Sequence, residues 1–455
     1  MKNLIHIYDK NDFPIDQHSY GQTIVINELS KYQKKDFNIY LLTTVKPVTG
    51  QEAFYEVADK SVKESLGINV VRINKGTNNA ETMSNMYECI RSLDGQSMVD
   101  LHFMTASRLL EKERTPNIKT MAHWHCLSDL YSFGPHMRRP DDYKRMNGYL
   151  EDKLIDLNIG VSEHVKESFK YFPNMHKNMN VVMNGVNEQL YTPLNVDERT
   201  TLREECLKIS PKATVIGYVG RMQELKGVDI IKNLLEKLES QNDETYFVFA
   251  SSNGLDRTNF FKYVEDNCSE LIDSKRIRIG FDISKFLTGQ KEYDNLVSES
   301  FKSSLSNDGI TDSEIYAGLF TTPLVQLLDI YLHPARSEAL GLSVVEAQMA
   351  GTRTIASYIG GIPEVITDIK NNRLVPLPLD INIPYPKTND ELILKSRAVE
   401  QAATDFMDAI EKFKGMPYDF DTANKIRKSV LLRDNPLTSE RMAYQTTKLI
   451  NKVFE

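Results

Sequence analysis

The chain has 455 residues, more than one hydrophobic core ordinarily serves, so two or more domains are expected. Its 41% hydrophobic and 26% charged residues are the balance of an ordinary globular protein. A net charge of −8 argues against affinity gained by neutralising a nucleic-acid backbone, although a few Lys and Arg can still focus an anionic ligand locally.

In the first half, short β-branched runs alternate with amphipathic segments. NLIHIYD (3–9), FNIYLLTT (37–44), INVVRI (68–73), VDLHFM (99–104), IKTMAHWH (118–125), LNIGVS (157–162) and MNVVMNG (179–185) read as strands. Segments such as TIVINELSKYQKK between them place apolar residues at helical spacing. Strand, helix, strand repeated in this way predicts a parallel, doubly wound sheet. NEQLYTPLNVDERT (187–200) is polar, carries a proline and reads as a linker. The alternation then restarts with ATVIGYVG (213–220), YFVFASS (246–252), RIRIGFD (276–282), DIYLHPA (329–335) and TRTIASY (352–358). The polar stretch from Asp282 to Thr322 is long for a connection and is expected to be partly helical. After RDNP (433–436), LTSERMAYQTTKLINKVF (437–454) reads as a closing helix.

These elements predict an α/β protein: a Rossmann-like domain over 1–190, a second over 191–430, and a C-terminal helical segment over 431–455. Two such sheets are expected to face each other across a cleft, with ligands just beyond the carboxyl ends of the strands. Cys89, Cys126, Cys206 and Cys268 show no C-x-x-C spacing, which suits a reducing compartment better than a disulfide framework or a zinc site. MKNLIHIYDKND lacks the apolar run of a signal peptide and no 18-residue apolar stretch occurs, so a cytoplasmic location is expected.

SEALGLSVVEAQMAGT (337–352) sets two acids, Glu338 and Glu346, among small and apolar residues. RSEALG reads as a turn and SVVEAQMA as a helix ended by Gly351. Ser343 and Glu346 fit an S-x-x-E capping box, which needs no ligand. That leaves Glu338 unexplained, together with the amides of Leu340, Gly341 and Leu342, which at a helix start form a ready anion site. In GYVGRMQELKG (217–227), Arg221 and Lys226 follow a strand. Loop cations are ordinarily solvated, but at a strand end a guanidinium and an ammonium suit a diphosphate.

MAHWHCLSDL (121–130) puts His123 and His125 at a strand end. H-x-H alone offers too few ligands for a metal, and a structural histidine is the plainer reading. Gly21, in SYGQT (19–23), lets the backbone approach a phosphate or simply makes a turn. DFD (419–421) imitates a D-x-D metal motif but precedes a helix, where Asp is a good cap. HMRRPDDYKR (136–145) reads as a solvated mixed-charge loop, and is also the segment available for an anionic acceptor or for peripheral contact with lipid headgroups.

The run from Glu338 to Glu346 resembles the E-x7-E signature of retaining glycosyltransferases of the GT-B fold, particularly family 4. TIASYIGGIPEVI (354–366), GYVGRMQELKG (217–227), VVMNGVNEQLYTP (181–193), LNIGVSEHVKESF (157–169) and the closing helix are similar to further elements of that family, in the same order along almost the whole chain. The resemblance implies two Rossmann-like domains, with the closing helix crossing back to the first. The second domain would bind a nucleotide-diphosphate sugar and the first a hydroxyl acceptor on a glycan, lipid, protein or small molecule. A nucleic-acid acceptor is disfavoured by the acidic balance. Arg221 and Lys226 would hold the pyrophosphate, Glu346 the ribose hydroxyls and Glu338 a hydroxyl of the donor sugar. Gly21, Gly220, Leu340, Gly341 and Leu342 would complete the donor site.

His125 would contact the transferred sugar, with His123 inside the strand and pointing to the other face. Glu338 and His125 are the catalytic candidates. The family reacts with retention of configuration and needs neither a side-chain nucleophile nor a metal, so no cofactor is expected beyond the donor, a UDP-sugar or a sugar on another nucleotide. A sugar-nucleotide 2-epimerase of the same architecture and a non-catalytic sugar-nucleotide sensor are the alternatives.

Overall fold

A computed structural model of the chain describes residues 2–8, 21–45, 54–56, 68–74, 79–102, 116–125, 155–170, 173–239, 241, 244–250, 255–279, 322–382 and 388–455. They form two compact units, Met1–Asn187 with Leu437–Glu455, and Glu188–Pro436.

The first unit is built on an eight-stranded sheet: β1 (Lys2–Tyr8), β2 (Phe37–Val45), β3 (Phe54–Glu56), β4 (Asn69–Asn74), β5 (Ser97–Leu101), β6 (Ile118–Trp124), β7 (Leu157–Gly160) and β8 (Met179–Val181). Their spatial order is β3-β4-β2-β1-β5-β6-β7-β8, parallel except for β3, which pairs antiparallel with β4. The strands are nearly continuous apolar runs because a parallel sheet is covered on both faces. Leu4, Ile5 and Ile7 of β1 are buried in this way. Register then fixes what meets at the carboxyl ends: His6 of β1 lies beside Asp100 of β5, and Leu101 beside Ala122 of β6. Of the helices, α1 (Gly21–Gln33) follows β1 and α2 (Asn79–Ser92) follows β4. Next come α3 (Glu163–Ser168) and α4 (Pro173–Asn178).

The second unit has six parallel strands in the order β11-β10-β9-β12-β13-β14. They are β9 (Thr214–Val219), β10 (Thr245–Ala250), β11 (Ile277–Ile279), β12 (Ile330–His333), β13 (Arg353–Ser357) and β14 (Arg373–Val375). Its helices are α5 (Val196–Leu202), α6 (Val228–Glu239), α7 (Leu255–Asn267), α8 (Ser269–Asp273), α9 (Thr322–Leu327), α10 (Leu342–Met349), α11 (Ile362–Val365), α12 (Asn389–Glu411) and α13 (Phe420–Leu431). Ile230, Ile231, Leu234, Leu235 and Leu238 recur at helical spacing along α6 and join Phe247, Phe249, Phe406 and Ile410 in one core. Burying each such side chain stabilises by roughly 1.5–3 kcal/mol.

The linker expected at 187–200 begins at the boundary between the two units, but the segment beyond Asn187 packs within the second. Leu190 and Tyr191 are buried, and Asn195 and Glu198 form a capping box that starts α5. Arg199 and Arg203, both buried, reach the Asp329 carboxylate at 2.8 and 2.5 Å, and the Val215 amide donates to it at 2.7 Å. Its polar composition was misleading because these charges are paired inside the unit. Two short strands, β3 and β14, also lie outside the sequence reading; three residues carry too little alternation to be read.

The last helix, α14 (Ser439–Phe454), packs on α1 in the first unit. Thr438 caps it by accepting from the Arg441 amide. Its apolar stripe buries Met442, Ala443 and Ile450. Val186 and Ser439 exchange backbone hydrogen bonds with this turn: the Val186 amide donates to Leu437 O at 3.1 Å, and the Ser439 amide to Val186 O at 3.0 Å. Among the described residues, no helix is long and apolar enough to cross a membrane.

Candidate functional site

In the second unit, the carboxyl ends of β9 and β12 carry two loops that interlock. The loop after β9 makes a tight turn over Glu224–Lys226 and ends at Gly227, whose φ is +75°. A Cβ on Gly227 would stand 2.0 Å from the Pro334 carbonyl oxygen, so only glycine lets the loops approach this closely. The Arg336 amide donates to Leu225 O at 2.9 Å, and its buried guanidinium binds Glu224 at 2.7 Å and also Asp229. This clamp presents Lys226 to Glu338: Nζ lies 2.5 Å from Oε2.

Glu338 has a second partner, His333 Nε2, at 3.2 Å. A carboxylate only accepts, so Nε2 carries the imidazole proton and Nδ1 is left to accept from the Tyr331 hydroxyl, 3.2 Å away. Burial pushes the Glu338 carboxyl up, but Lys226 and His333 outweigh it and hold the carboxyl at about 2. Glu338 is thus an anion at any physiological pH. Its own backbone is held from the other side. Gly360 has φ +59° and a Cβ there would lie 1.9 Å from Glu338 O, while the Gly361 amide donates to that oxygen at 3.2 Å. The glycine pair of SYIGGIPEV is therefore a packing surface for the Glu338 loop.

Glu346 sits one helix further on, and its environment is the reverse. It is 5% exposed on α10, and burial raises its carboxyl to about 7, against a hydrogen bond from Tyr191 that lowers it. The expected capping box is absent. Gly341, with φ +91°, is the residue before the helix and makes no side-chain cap, so Ser343 is the second helical residue. Its hydroxyl bonds Tyr331 instead. Among the described residues, the amides of Leu340, Gly341 and Leu342 donate to no backbone carbonyl, as an anion site requires. Arg221 is exposed on the β9 loop, and its carbonyl accepts from the Tyr218 hydroxyl at 2.6 Å. Gly220 closes β9, its amide bonded to Ala250 O at 2.9 Å.

The first unit gathers four histidines around one aspartate at the ends of β1, β5 and β6. Asp100 is fully buried and contacts His6 Nδ1 at 3.1 Å, His102 Nε2 at 3.0 Å and His123 Nδ1 at 2.9 Å. His125 Nε2 faces His102 Nδ1 at 3.0 Å. Burial pushes His102 down to about 4 and His125 well below its ordinary value, so both are neutral at pH 7. Burial opposes ionisation of Asp100 too, yet His102 and His123 hold its carboxyl well below the usual range. The expectation that His123 points away from His125 is wrong: residues two apart in a strand share a face, and the two rings stack with centroids 5.7 Å apart.

The structure therefore brings Lys226 and Glu338 into contact, sets Glu346 on the adjoining helix, and places His125 in a histidine cluster of the other unit. Gly21 is the first residue of α1, while the loop before it lies outside the described residues, as do HMRRPDDYKR (136–145) and residues 280–321. Asp419 caps α13 by accepting from the Asp421 and Thr422 amides, the expected role. Sequence reasoning missed His333, Arg336, Tyr331 and Tyr191. The first three stand in or directly after DIYLHPA, where a strand-end search would have found them. Tyr191 is distant in sequence and gives no such signal. It also missed His6, Asp100 and His102, which only strand register unites.

Residues 322–381, which hold both Glu338 and Glu346, match the family Glycosyl transferases group 1. A D-inositol 3-phosphate glycosyltransferase of Corynebacterium aurimucosum is 23% identical over 50% of this chain and 47% of its own length. Another, from Corynebacterium urealyticum, is 26% identical over 54% of this chain and 50% of its own. The chain thus spans about half the length of the curated relatives it matches. Among solved structures, sucrose-phosphate synthase from Thermosynechococcus elongatus superposes with a TM-score of 0.65 at 15% identity, covering 100% of this chain and 99% of that one. Anabaena Alr3699/HepE, in complex with UDP and glucose, gives 0.63 at 13% identity over 99% of each. The residues from Glu338 to Glu346 thus lie within the match to Glycosyl transferases group 1, and the chain has the GT-B fold.

Proposed function

We propose that the chain is a retaining glycosyltransferase that moves a sugar from a nucleotide-diphosphate sugar to a hydroxyl acceptor. The observation that carries this reading is the Lys226–Glu338 contact at the ends of β9 and β12, beside a helix start whose amides are available to an anion. Glu338 engages one of the three N–H donors of the Lys226 ammonium, so the others remain for phosphate oxygens. With Arg221 it would offset the negative charge that builds on the departing nucleoside diphosphate, which is where electrostatic help lowers the barrier most. Glu338, anionic and fixed by His333 and Lys226, would accept hydrogen bonds from donor-sugar hydroxyls, and Glu346 from ribose hydroxyls.

Gly220, Leu340, Gly341 and Leu342 would complete the donor site in Glu188–Pro436. Gly21 would contribute from the first unit, which would bind the acceptor. His125 there would touch the transferred sugar: its Nε2 is engaged by His102, which leaves Nδ1 to face a hydroxyl. No resident metal is needed for this transfer.

UDP is the first nucleotide to test, because UDP and UDP-glucose are bound by Anabaena Alr3699/HepE. Thermal unfolding is measured with UDP, GDP, ADP and TDP and their sugars. A nucleotide at about a hundred times its dissociation constant stabilises by roughly 2.7 kcal/mol. A selective rise with one diphosphate, lost in Lys226→Ala, supports the reading and identifies the donor for an acceptor screen. A well-folded sample that responds to none of them overturns it.

A further inference from the structure

We infer that His6 Nδ1, Asp100 Oδ2 and His102 Nε2 form a binding site for a divalent transition-metal ion, zinc or ferrous iron. The site lies wholly in the first unit and does not rest on the glycosyltransferase reading.

The three atoms form a nearly equilateral triangle: His6 Nδ1 to Asp100 Oδ2 is 3.1 Å, His102 Nε2 to Asp100 Oδ2 is 3.0 Å, and His6 Nδ1 to His102 Nε2 is 3.1 Å. Adjacent ligands on an ion with bonds of about 2.0–2.1 Å stand roughly 2.8–3.4 Å apart, from right-angled to tetrahedral geometry. Hydrogen bonds alone fit the triangle poorly. If both ring nitrogens carry protons, the two N–H groups converge on one oxygen with the nitrogens only 3.1 Å apart. If only one does, the bare nitrogen of the other faces the carboxylate without a proton between them. One cation satisfies all three lone pairs at once.

The surroundings are those of a metal site. His123 Nδ1 lies 2.9 Å from each oxygen of the Asp100 carboxylate, and His102 Nδ1 meets His125 Nε2 at 3.0 Å. Both are the outer contacts that orient a ligating carboxylate and fix the tautomer of a ligating imidazole. His6, Asp100 and His102 are all at most 1% exposed, and Nδ1 is the only nitrogen of His6 with a partner among the described residues. Two imidazoles and a carboxylate suit zinc or ferrous iron, whereas magnesium and calcium take oxygen ligands. H-x-H in β6 was too small a set for a metal. The ligands come from β1 and β5, and β6 supplies the outer layer. The ion would pin the carboxyl ends of β1 and β5.

The test uses the full chain purified without a polyhistidine tag. Elemental analysis is expected to find zinc or iron stoichiometric with the chain, and the element found separates the two. After chelator treatment, cobalt(II) is expected to bind with visible d–d absorption and zinc to raise the unfolding temperature. Asp100→Asn and His102→Gln should each weaken zinc binding more than about a hundredfold, and His125→Ala by about 10–100-fold. His176→Ala, which removes the exposed pair with Glu167, should leave binding unchanged. Circular dichroism of each variant separates lost metal from lost fold, and the cobalt spectrum of the unaltered chain needs no variant. Absent metal with no cobalt absorption overturns the inference, as does stoichiometric binding that survives Asp100→Asn in a folded protein.

Discussion

Lys226 and Glu338 are 112 positions apart in sequence and meet at 2.5 Å. Each is delivered by a different strand end, and Arg336 ties the two loops together through Glu224 and Asp229. Glu338→Gln keeps the shape but removes the charge that Lys226 and His333 face. Turnover should fall by at least two orders of magnitude, with circular dichroism unchanged. A variant that turns over normally would remove Glu338 from the site.

Lys226→Ala, combined with Arg221→Ala, should weaken nucleoside-diphosphate binding itself. Charge-assisted hydrogen bonds contribute about 1.5–3 kcal/mol each, so a loss of one to two orders of magnitude in affinity is expected by calorimetry. Unchanged affinity would mean that the diphosphate sits elsewhere.

Glu346 should give the site a pH dependence. Its carboxyl ionises near 7 in the folded chain against an ordinary value of 4.5, because it is buried. Between those values the unfolded chain binds fewer protons, so stability falls as pH rises. Glu346→Gln should be more stable than the parent at pH 8, by on the order of 3 kcal/mol, and nearly equal to it at pH 4. Nucleotide affinity of the parent should move the other way, rising from pH 6 to 8 as the carboxylate proposed to accept ribose hydroxyls forms. Unfolding temperatures and titrations at these pH values check both; a parent and variant that track each other throughout would show that Glu346 is ionised freely.

Asp329 accepts from two buried guanidinium groups and a backbone amide. Asp329→Ala leaves Arg199 and Arg203 uncompensated, and should cost about 3–5 kcal/mol of the second unit's stability in a urea titration. A loss below about 1 kcal/mol would mean that the arginines find water.

Gly360→Ala puts a methyl where Glu338 O stands, in a backbone conformation that disfavours any side chain. Displacing that oxygen should cost more than about 2 kcal/mol and disturb nucleotide affinity with it. Wild-type stability and affinity in this variant would show that the Glu338 loop is free to move.

Strands were legible where short runs rich in β-branched and other apolar residues alternated with helical patterns, because a sheet covered on both faces buries most of each strand. The candidate donor-site residues were legible through position: Arg221, Lys226 and Glu338 each follow a strand within a few positions, and Glu346 stands eight residues after Glu338. What composition concealed was pairing at a distance. Arg199 reads as a solvated cation until Asp329 is placed beside it, and His6 as an ordinary core residue until register sets it against Asp100. Ser343 and Glu346 fit a capping pattern that the positive φ of Gly341 moves out of reach, since the helix begins one residue before the serine.

The bridge between Val186 and Thr438 has a consequence for biosynthesis. The first unit starts the chain but cannot be completed until all of Glu188–Pro436 has been translated, because the helix that covers α1 comes after it. At ordinary elongation rates that delay is roughly ten seconds or longer. During it, the docking face of α1 is uncovered on a nascent chain, and only at its end does the inserted unit have its whole sequence. Of the two units, the one translated first is thus the last to be finished.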